Sequence, residues 1–125
     1  MRAASPRGRG YASKVADLRK QRIAENEALF RAANERIADW EERDRAEAVE
    51  LYFCECADPE CGEKVKLRGS DYERVRSNPA HFFVVPGHEV PDVETVLESH
   101  SDWALVEKTA PEAREIAEET DPRQG

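Results

Sequence analysis

The chain has 125 residues, of which 39% are hydrophobic and 37% charged, and its formal net charge is −8. This length suffices for one small domain but not for two independent hydrophobic cores, and nine aromatic residues leave a thin core. No stretch approaches the ~20 apolar residues of a membrane-spanning helix, and the first residues lack the apolar segment of a signal peptide. We therefore expect a small acidic protein of the cytoplasm.

Positive charge is concentrated at the start of the chain. Residues 1–22 carry seven Lys/Arg side chains against one acid, Asp17, a net charge of +6 that leaves −14 for the rest. An acidic body disfavours general nucleic-acid binding, whereas the basic arm could contact phosphate, an acidic partner or the chain's own acidic surface. A solvated tail is the ordinary alternative. The candidate nucleic-acid contacts are the cations of this segment: Arg2, Arg7, Arg9, Lys14, Arg19, Lys20 and Arg22.

Two segments of different composition precede the first predicted strand. Residues 1–12 are rich in Arg, Ser, Pro and Gly and are expected to form a disordered basic arm, because they bury little apolar surface. Residues 13–46 contain no Pro or Gly and are rich in Ala, Glu and Arg, which predicts one long helix.

Apolar residues repeat along the second half of this helix. They recur every seven residues, with a further residue three positions after each, so that one seam runs over residues 23–40. The seam consists of Ile23, Asn26, Phe30, Ala33, Ile37 and Trp40. It predicts packing either against the chain's own sheet or against a protein partner, such as a second copy in a homodimer.

The remainder of the chain has the pattern of a small α+β domain over residues 47–119, followed by a frayed tail over residues 120–125. We expect an α+β fold in which the long N-terminal helix precedes a mainly antiparallel four-strand sheet with short helices. The predicted strands are Val49–Phe53, Val65–Leu67, His81–Val85 and Trp103–Lys108. The predicted short helices are Ser70–Arg76, Pro91–Ser99 and Pro111–Glu119.

All three cysteines lie in the turn between the first two predicted strands. Cys54 and Cys56 point the same way if the chain stays extended, and the reversal at Asp58-Pro59 returns Cys61 towards them. In a reducing compartment three clustered thiols favour a metal over disulfides, with small buried or free thiols as the alternative. The segment therefore predicts a zinc knuckle.

A tetrahedral zinc site needs a fourth ligand from another segment. His88 is the best-placed candidate because it follows the turn-forming pair Pro86-Gly87 at the end of an apolar run. His81, His100, a nearby acid or water remain alternatives. The predicted ligands of a structural Zn²⁺ are Cys54, Cys56, Cys61 and His88.

The function that these features favour is a non-enzymatic protein-interaction or regulatory module. We expect no catalytic residues and no small-molecule substrate, because the motifs of phosphate loops, serine hydrolases, paired-His metalloproteases and zinc deaminases are missing from the sequence. One alternative is a nucleic-acid-associated accessory factor of transcription or translation that uses the basic arm. The second is a zinc hydrolase or deaminase with an open coordination position, with Glu55 or Glu89 as the general base.

Four segments together resemble a group of small uncharacterised bacterial proteins: Phe53–Cys61, Tyr72–Arg76, Phe83–Glu89 and Leu105–Lys108. These proteins share a Phe-x-Cys-Glu-Cys knuckle and a Val-Pro-Gly-His-Glu turn, and the likeness extends over residues 25–121. The resemblance implies that the cysteines act together with His88 and implies no activity. Residues 27–37 are also similar to helices that lead into bacterial sensor and regulatory domains, which implies a role in signalling or regulation.

Overall fold

The computed structural model describes residues 4–40 and 47–123. Within these residues the chain forms three helices and five strands, so the α+β class and the long N-terminal helix are confirmed. In chain order the elements are α1 (Ala4–Trp40), β1 (Val49–Phe53), β2 (Lys64–Arg68), α2 (Gly69–Arg76), β3 (His81–Val84), β4 (Glu94–Ser99), β5 (Ala104–Lys108) and α3 (Pro111–Glu119).

The first helix starts earlier than the sequence predicts. α1 begins at Ala4 instead of Ser13, so residues 4–12 of the expected disordered arm are helical. Pro6 lies in the first turn, where its missing N–H removes no helical hydrogen bond. Residues 1–3, 41–46 and 124–125 lie outside the described residues, so the predictions for them, including the end of the frayed tail, stay predictions.

The strands form two antiparallel sheets instead of the predicted single four-strand sheet. β1 and β2 form a hairpin, and the second sheet has the order β3-β5-β4. At the outer edge of β1 the side chain of Asn34 takes the place of a neighbouring strand. Its Oδ1 accepts the N–H of Phe53 at 2.7 Å, and its Nδ2 donates to the C=O of Phe53 at 2.8 Å. Asn34 of α1 thus satisfies the outward main-chain groups of Phe53 at the end of β1.

The segment Pro91–Ser99 contains strand β4, and its predicted helix is wrong. Val96 and Leu97 are neighbours in sequence, yet both side chains are exposed, because the register with β5 shifts between Val96 and Glu98. Such a bulge breaks the two-residue alternation of a strand. The apolar residues of this segment are therefore spaced as on one face of a helix, which explains the wrong prediction.

The main core lies between the two sheets. Tyr52 of β1 stacks on Tyr72 of α2 with ring centroids 4.6 Å apart, and Phe83 of β3 packs edge-on against both rings. Cys54 and Cys56 belong to the same buried cluster. The site predicted from the cysteines therefore lies at one end of the core.

Helix α1 packs on the domain with a largely polar face. Glu27, Arg31 and Asn34 are buried, and each is held by polar partners elsewhere in the chain. Arg31, for example, donates to the C=O groups of Pro79 and Ala117 at 2.7 and 2.8 Å. The sequence of α1 therefore does not show this buried face as a repeat of apolar residues.

The predicted seam lies beside this polar face. Ile37 packs against the main core, Ile23 packs against a smaller cluster, and the ring of Phe30 lies 6.4 Å from that of Phe53. The seam thus contacts the chain's own domain, which is one of its two predicted uses. The side chain of Trp40 lies outside the described residues.

Candidate metal centre

The cysteine-containing turn continues the β1–β2 hairpin. The N–H of Cys54 donates to the C=O of Glu63 at 3.0 Å, which extends the ladder one step beyond the strands. The chain then reverses, and the N–H of Cys61 donates to the C=O of Asp58 at 3.1 Å. The predicted turn is therefore formed, with Cys54 on its incoming arm and Cys61 on its returning arm.

His88 enters the site from the loop after β3. Gly87 adopts a φ of 93°, a left-handed conformation that glycine adopts without strain, and the N–H of His88 closes the turn on the C=O of Val85 at 2.9 Å. The Pro86-Gly87 turn thus directs the imidazole towards the cysteines, as the sequence predicts.

The structure brings the four predicted ligands together. One ligand atom from each of Cys54, Cys56, Cys61 and His88 lies within 4.8 Å of the others. The Nδ1 atom of His88 is 3.6 Å from the Sγ atoms of both Cys54 and Cys61. Because thiolate and imidazole are strong ligands for transition metals, this group could hold a metal ion.

The other ring nitrogen of His88 faces a carboxylate. Its Nε2 lies 3.2 Å from Oε2 of Glu63, an exposed residue that precedes β2. An Nε2–H donated to Glu63 leaves Nδ1 as the lone-pair nitrogen towards the cysteines. The arrangement indicates that Nδ1 is the ligand atom.

The thiols differ in their tendency to lose a proton. A hydrogen bond from Cys54 lowers the pKa of Cys56 to about 5, and the same pairing raises the pKa of Cys54. Burial raises the pKa of Cys61. The main-chain N–H of Val85 donates to Cys54 Sγ at 3.2 Å, a contact that favours the thiolate. Cys56 is therefore the thiol that loses its proton most readily, and a bound cation would displace the protons of all three thiols.

A buried ion pair stabilises the cysteine-containing turn. Glu55 lies between Cys54 and Cys56, is fully buried, and receives two hydrogen bonds from Arg76 at 2.7 and 2.8 Å. Asn34 Nδ2 donates to the same carboxylate at 2.9 Å. Glu55 is thus held in a structural network, and the predicted alternative role as a general base finds no support in its position.

Two asparagines of α1 fix the turn, and sequence reasoning did not assign them to the site. Asn34 holds Phe53 and Glu55, and Asn26 Nδ2 donates to the C=O of Ala57 at 3.1 Å. The signal available was the position of Asn26 in the predicted seam, whereas Asn34 lies outside that seam and gave no signal. Helix α1 therefore positions the main chain on both sides of Cys56.

The alternative ligands are engaged elsewhere. His81 Nε2 pairs with Glu107 at 3.0 Å, and His100 stacks on Trp103 with centroids 4.3 Å apart. The carboxylate of Glu89 accepts the N–H of Gly87 at 3.0 Å. Within the described residues, the ligand cluster contains none of these three side chains.

The predicted nucleic-acid contacts are not gathered into one site among the side chains that the structure describes. Arg19 pairs with Asp92 at 3.0 Å, and both side chains are more than half exposed. Lys20 and Arg22 follow on the same helix, with Arg22 exposed. Arg2 and the side chains of Arg7, Arg9 and Lys14 lie outside the described residues. Nucleic-acid binding by this segment stays a prediction.

Comparison with protein-family models, curated proteins and solved structures gave no match. In the described part of the chain, none of the helices combines the length and apolar character that crossing a bilayer requires. The function of this chain is therefore inferred from the site itself.

Proposed function

We propose that this chain is a small protein-interaction or regulatory module whose fold is stabilised by a structural Zn²⁺ bound to Cys54, Cys56, Cys61 and His88. The observation that carries the proposal is the convergence of these four ligand atoms within 4.8 Å. Four protein ligands complete a tetrahedral shell, as in structural zinc sites, whereas catalytic sites keep one position for water.

The Sγ···Nδ1 distances in the cluster fit tetrahedral coordination, the geometry of structural zinc sites. Zn–S bonds of about 2.3 Å and Zn–N bonds of about 2.0–2.1 Å place tetrahedral sulfur and nitrogen ligands about 3.6 Å apart. Both Sγ···Nδ1 distances of His88 are 3.6 Å. The donor set and its spacing thus fit a tetrahedral Cys3His zinc site.

A zinc ion at this position would join separate parts of the fold. Cys54 follows β1, Cys61 precedes β2, and His88 follows β3 of the other sheet. Structural zinc can contribute on the order of 10 kcal/mol, which is comparable to the whole stability of a small domain. Zinc would therefore hold the hairpin against the second sheet.

An interaction role is supported by the exposed apolar side chains on the hairpin. Val49 and Leu51 of β1 are 56% and 53% exposed, although both lie in a regular strand. Their direct cross-strand neighbours are Arg68 and Lys66. An apolar surface flanked by charge is typical of a protein-binding surface.

The proposal is tested by metal analysis of the purified chain and by unfolding with and without a chelator. We expect one zinc per chain and loss of cooperative unfolding when the metal is removed. A control sample with the same chelator pre-saturated with zinc should unfold like untreated protein. Metal-free protein with unchanged cooperative unfolding would overturn the proposal.

A further inference from the structure

The outer edge of β2 is open. In an antiparallel pair, residues alternate between those that bond to the partner strand and those whose main-chain groups point away from it. The bonds from Cys54 to Glu63 and from Gly69 to Ala48 fix this alternation. The β2 residues whose N–H groups point outward are therefore Lys64, Lys66 and Arg68. The C=O groups of Lys64 and Lys66 also point outward, whereas Arg68 is the N-cap of α2 and its C=O accepts the first hydrogen bond of that helix. Among residues 4–40 and 47–123, no strand pairs with this side of β2.

The opposite edge of the hairpin is less open. At β1, the main-chain groups of Phe53 that point outward are both bonded by the side chain of Asn34. An incoming strand could not use them without displacing α1. The edge of β2 is therefore the better place for an added strand.

A groove runs along the open edge of β2. It consists of two adjoining cavities of about 330 and 360 Å³, which share Lys66, Ser101 and Asp102 in their walls. Ser101 and Asp102 belong to the exposed loop between β4 and β5 and form the far wall. The groove is thus lined by Lys64, Lys66 and Arg68, the β2 residues whose N–H groups point outward, and it also reaches Val49 of β1.

The side chains on the two faces of β2 determine which residues a strand bound in this groove would carry. On the outer face the side chains of Lys64, Lys66 and Arg68 are exposed. On the inner side the walls include apolar groups of Leu67, Trp103 and Val85. Because successive residues of a strand face opposite sides, an occupant would place acidic side chains beside the cations and apolar ones in the groove.

We propose that the edge of β2 binds an extended segment of a partner protein in which acidic and apolar residues alternate, and that this segment adds a third strand to the hairpin. The inference rests on the proposed role as an interaction module and names the partner's chemistry. Main-chain hydrogen bonds supply affinity in this mode of recognition, and alternate side chains supply specificity. A nucleic acid is disfavoured because the outward C=O groups of β2 need N–H donors, which the main chain of a peptide supplies and a phosphate backbone lacks.

The probe is a fluorescent peptide of alternating Glu and Val, at least as long as the five residues of β2. Its binding to the zinc-loaded full chain is measured by fluorescence anisotropy. We expect saturable binding that a peptide of alternating Lys and Val does not show. A version of the Glu-Val peptide with N-methylated main chain on one edge should bind about tenfold more weakly, since it cannot complete the ladder.

Lys66 provides a matched pair of protein variants. Lys66→Pro removes both the charge and the outward N–H, while the bonds between β1 and β2 do not use that N–H. Lys66→Thr removes the charge alone. We expect Lys66→Pro to bind the Glu-Val peptide about tenfold more weakly than Lys66→Thr does, with equal zinc content.

Three results would overturn this inference: no binding of the Glu-Val peptide, equal binding by its N-methylated version, or tighter binding of a single-stranded oligonucleotide than of the peptide. The N-methylated peptide tests the wild-type chain, so the outcome does not depend on the folding of Lys66→Pro. None of these three results bears on the zinc content or on the unfolding with chelator, which are measured separately. A failure of edge binding is thereby distinguished from a failure of the proposed zinc-stabilised fold.

Discussion

The Nδ1 atom of His88 lies 3.6 Å from the Sγ atom of Cys61, although 27 residues separate them in the chain. Cys61 lies in the turn of the β1–β2 hairpin, and His88 lies in the loop that follows β3 of the other sheet. A metal ion between these atoms would therefore be a tertiary link. A metal ion bound here would therefore stabilise the whole domain and not only the turn.

His88→Ala should sharply weaken zinc binding. The substitution removes the proposed ligand that joins the two sheets. We therefore expect the zinc affinity to fall by more than about 100-fold, which exceeds the usual loss when a residue that hydrogen-bonds to a ligand is replaced. Competition with a coloured chelator measures the affinity. His100→Ala, which removes an exposed ring stacked on Trp103, is the control and should bind zinc like wild type. Equal affinities of the two variants would mean that His88 is not a ligand.

Glu63→Gln should weaken zinc binding by about 10-fold or somewhat more, the usual cost of losing a carboxylate behind a ligating histidine. The reason is the contact of Glu63 with Nε2 of His88 at 3.2 Å, which orients the ring. The matched control is Glu60→Gln, three residues earlier on the exposed turn. If both variants hold zinc equally well, Glu63 does not orient the imidazole.

Asn34→Ala should destabilise the zinc-loaded protein by about 2–4 kcal/mol. It leaves the N–H and C=O of Phe53 without their side-chain partner and removes one hydrogen bond from buried Glu55, and each unsatisfied buried group costs about 1–3 kcal/mol. Urea unfolding in excess zinc gives the free energy. Glu25→Ala, at an exposed position of the same helix, should change it by less than about 0.5 kcal/mol. A loss below 1 kcal/mol for Asn34→Ala, as a rough limit, would show that α1 does not hold the turn.

A second buried charge cluster joins α1 to the other sheet. The ammonium group of Lys108 in β5 contacts the carboxylates of Glu27 in α1 and Glu94 in β4, and it also lies 4.7 Å from the centre of the Phe82 ring. Burial, together with repulsion from Glu94, raises the pKa of Glu27 well above its ordinary value, although Lys108 opposes this shift. One cation between two carboxylates thus favours a protonated Glu27.

The cluster predicts a specific pH dependence. Because the pKa of Glu27 is raised in the folded chain, the folded chain binds protons more strongly than the unfolded chain above about pH 4.5, so rising pH should destabilise wild type relative to Glu27→Gln. The difference in unfolding free energy should change by at most about 1.4 kcal/mol per pH unit. Urea unfolding of zinc-loaded protein at several pH values from weakly acidic to neutral measures it, with Glu25→Gln as control. A difference that stays constant with pH would contradict the prediction.

The sequence predicted the elements whose pattern is local. Four of the five strands and the helices near residues 70–76 and 111–119 follow from alternation, turn residues and proline positions. The cysteine spacing and the Pro86-Gly87 turn were enough to select the four residues that the structure brings together. Ligand chemistry is readable in a sequence because few residue types can provide it.

Features that depend on tertiary contacts were not predictable in the same way. The buried face of α1 contains Glu27, Arg31 and Asn34, and their partners lie in segments far along the chain. A polar residue on a helix looks solvent-exposed until its partner is known. The extra residue in β4 likewise changes which side chains share a face, and the sequence gives no sign of it.

The most direct test of the zinc-stabilised fold is X-ray absorption at the zinc edge, on protein purified without added metal and analysed for zinc content. We expect one zinc per chain with three sulfur neighbours at about 2.3 Å and one nitrogen at about 2.0 Å, and loss of the nitrogen from this shell in His88→Ala. Protein without zinc, or zinc surrounded only by oxygen and nitrogen, would contradict it.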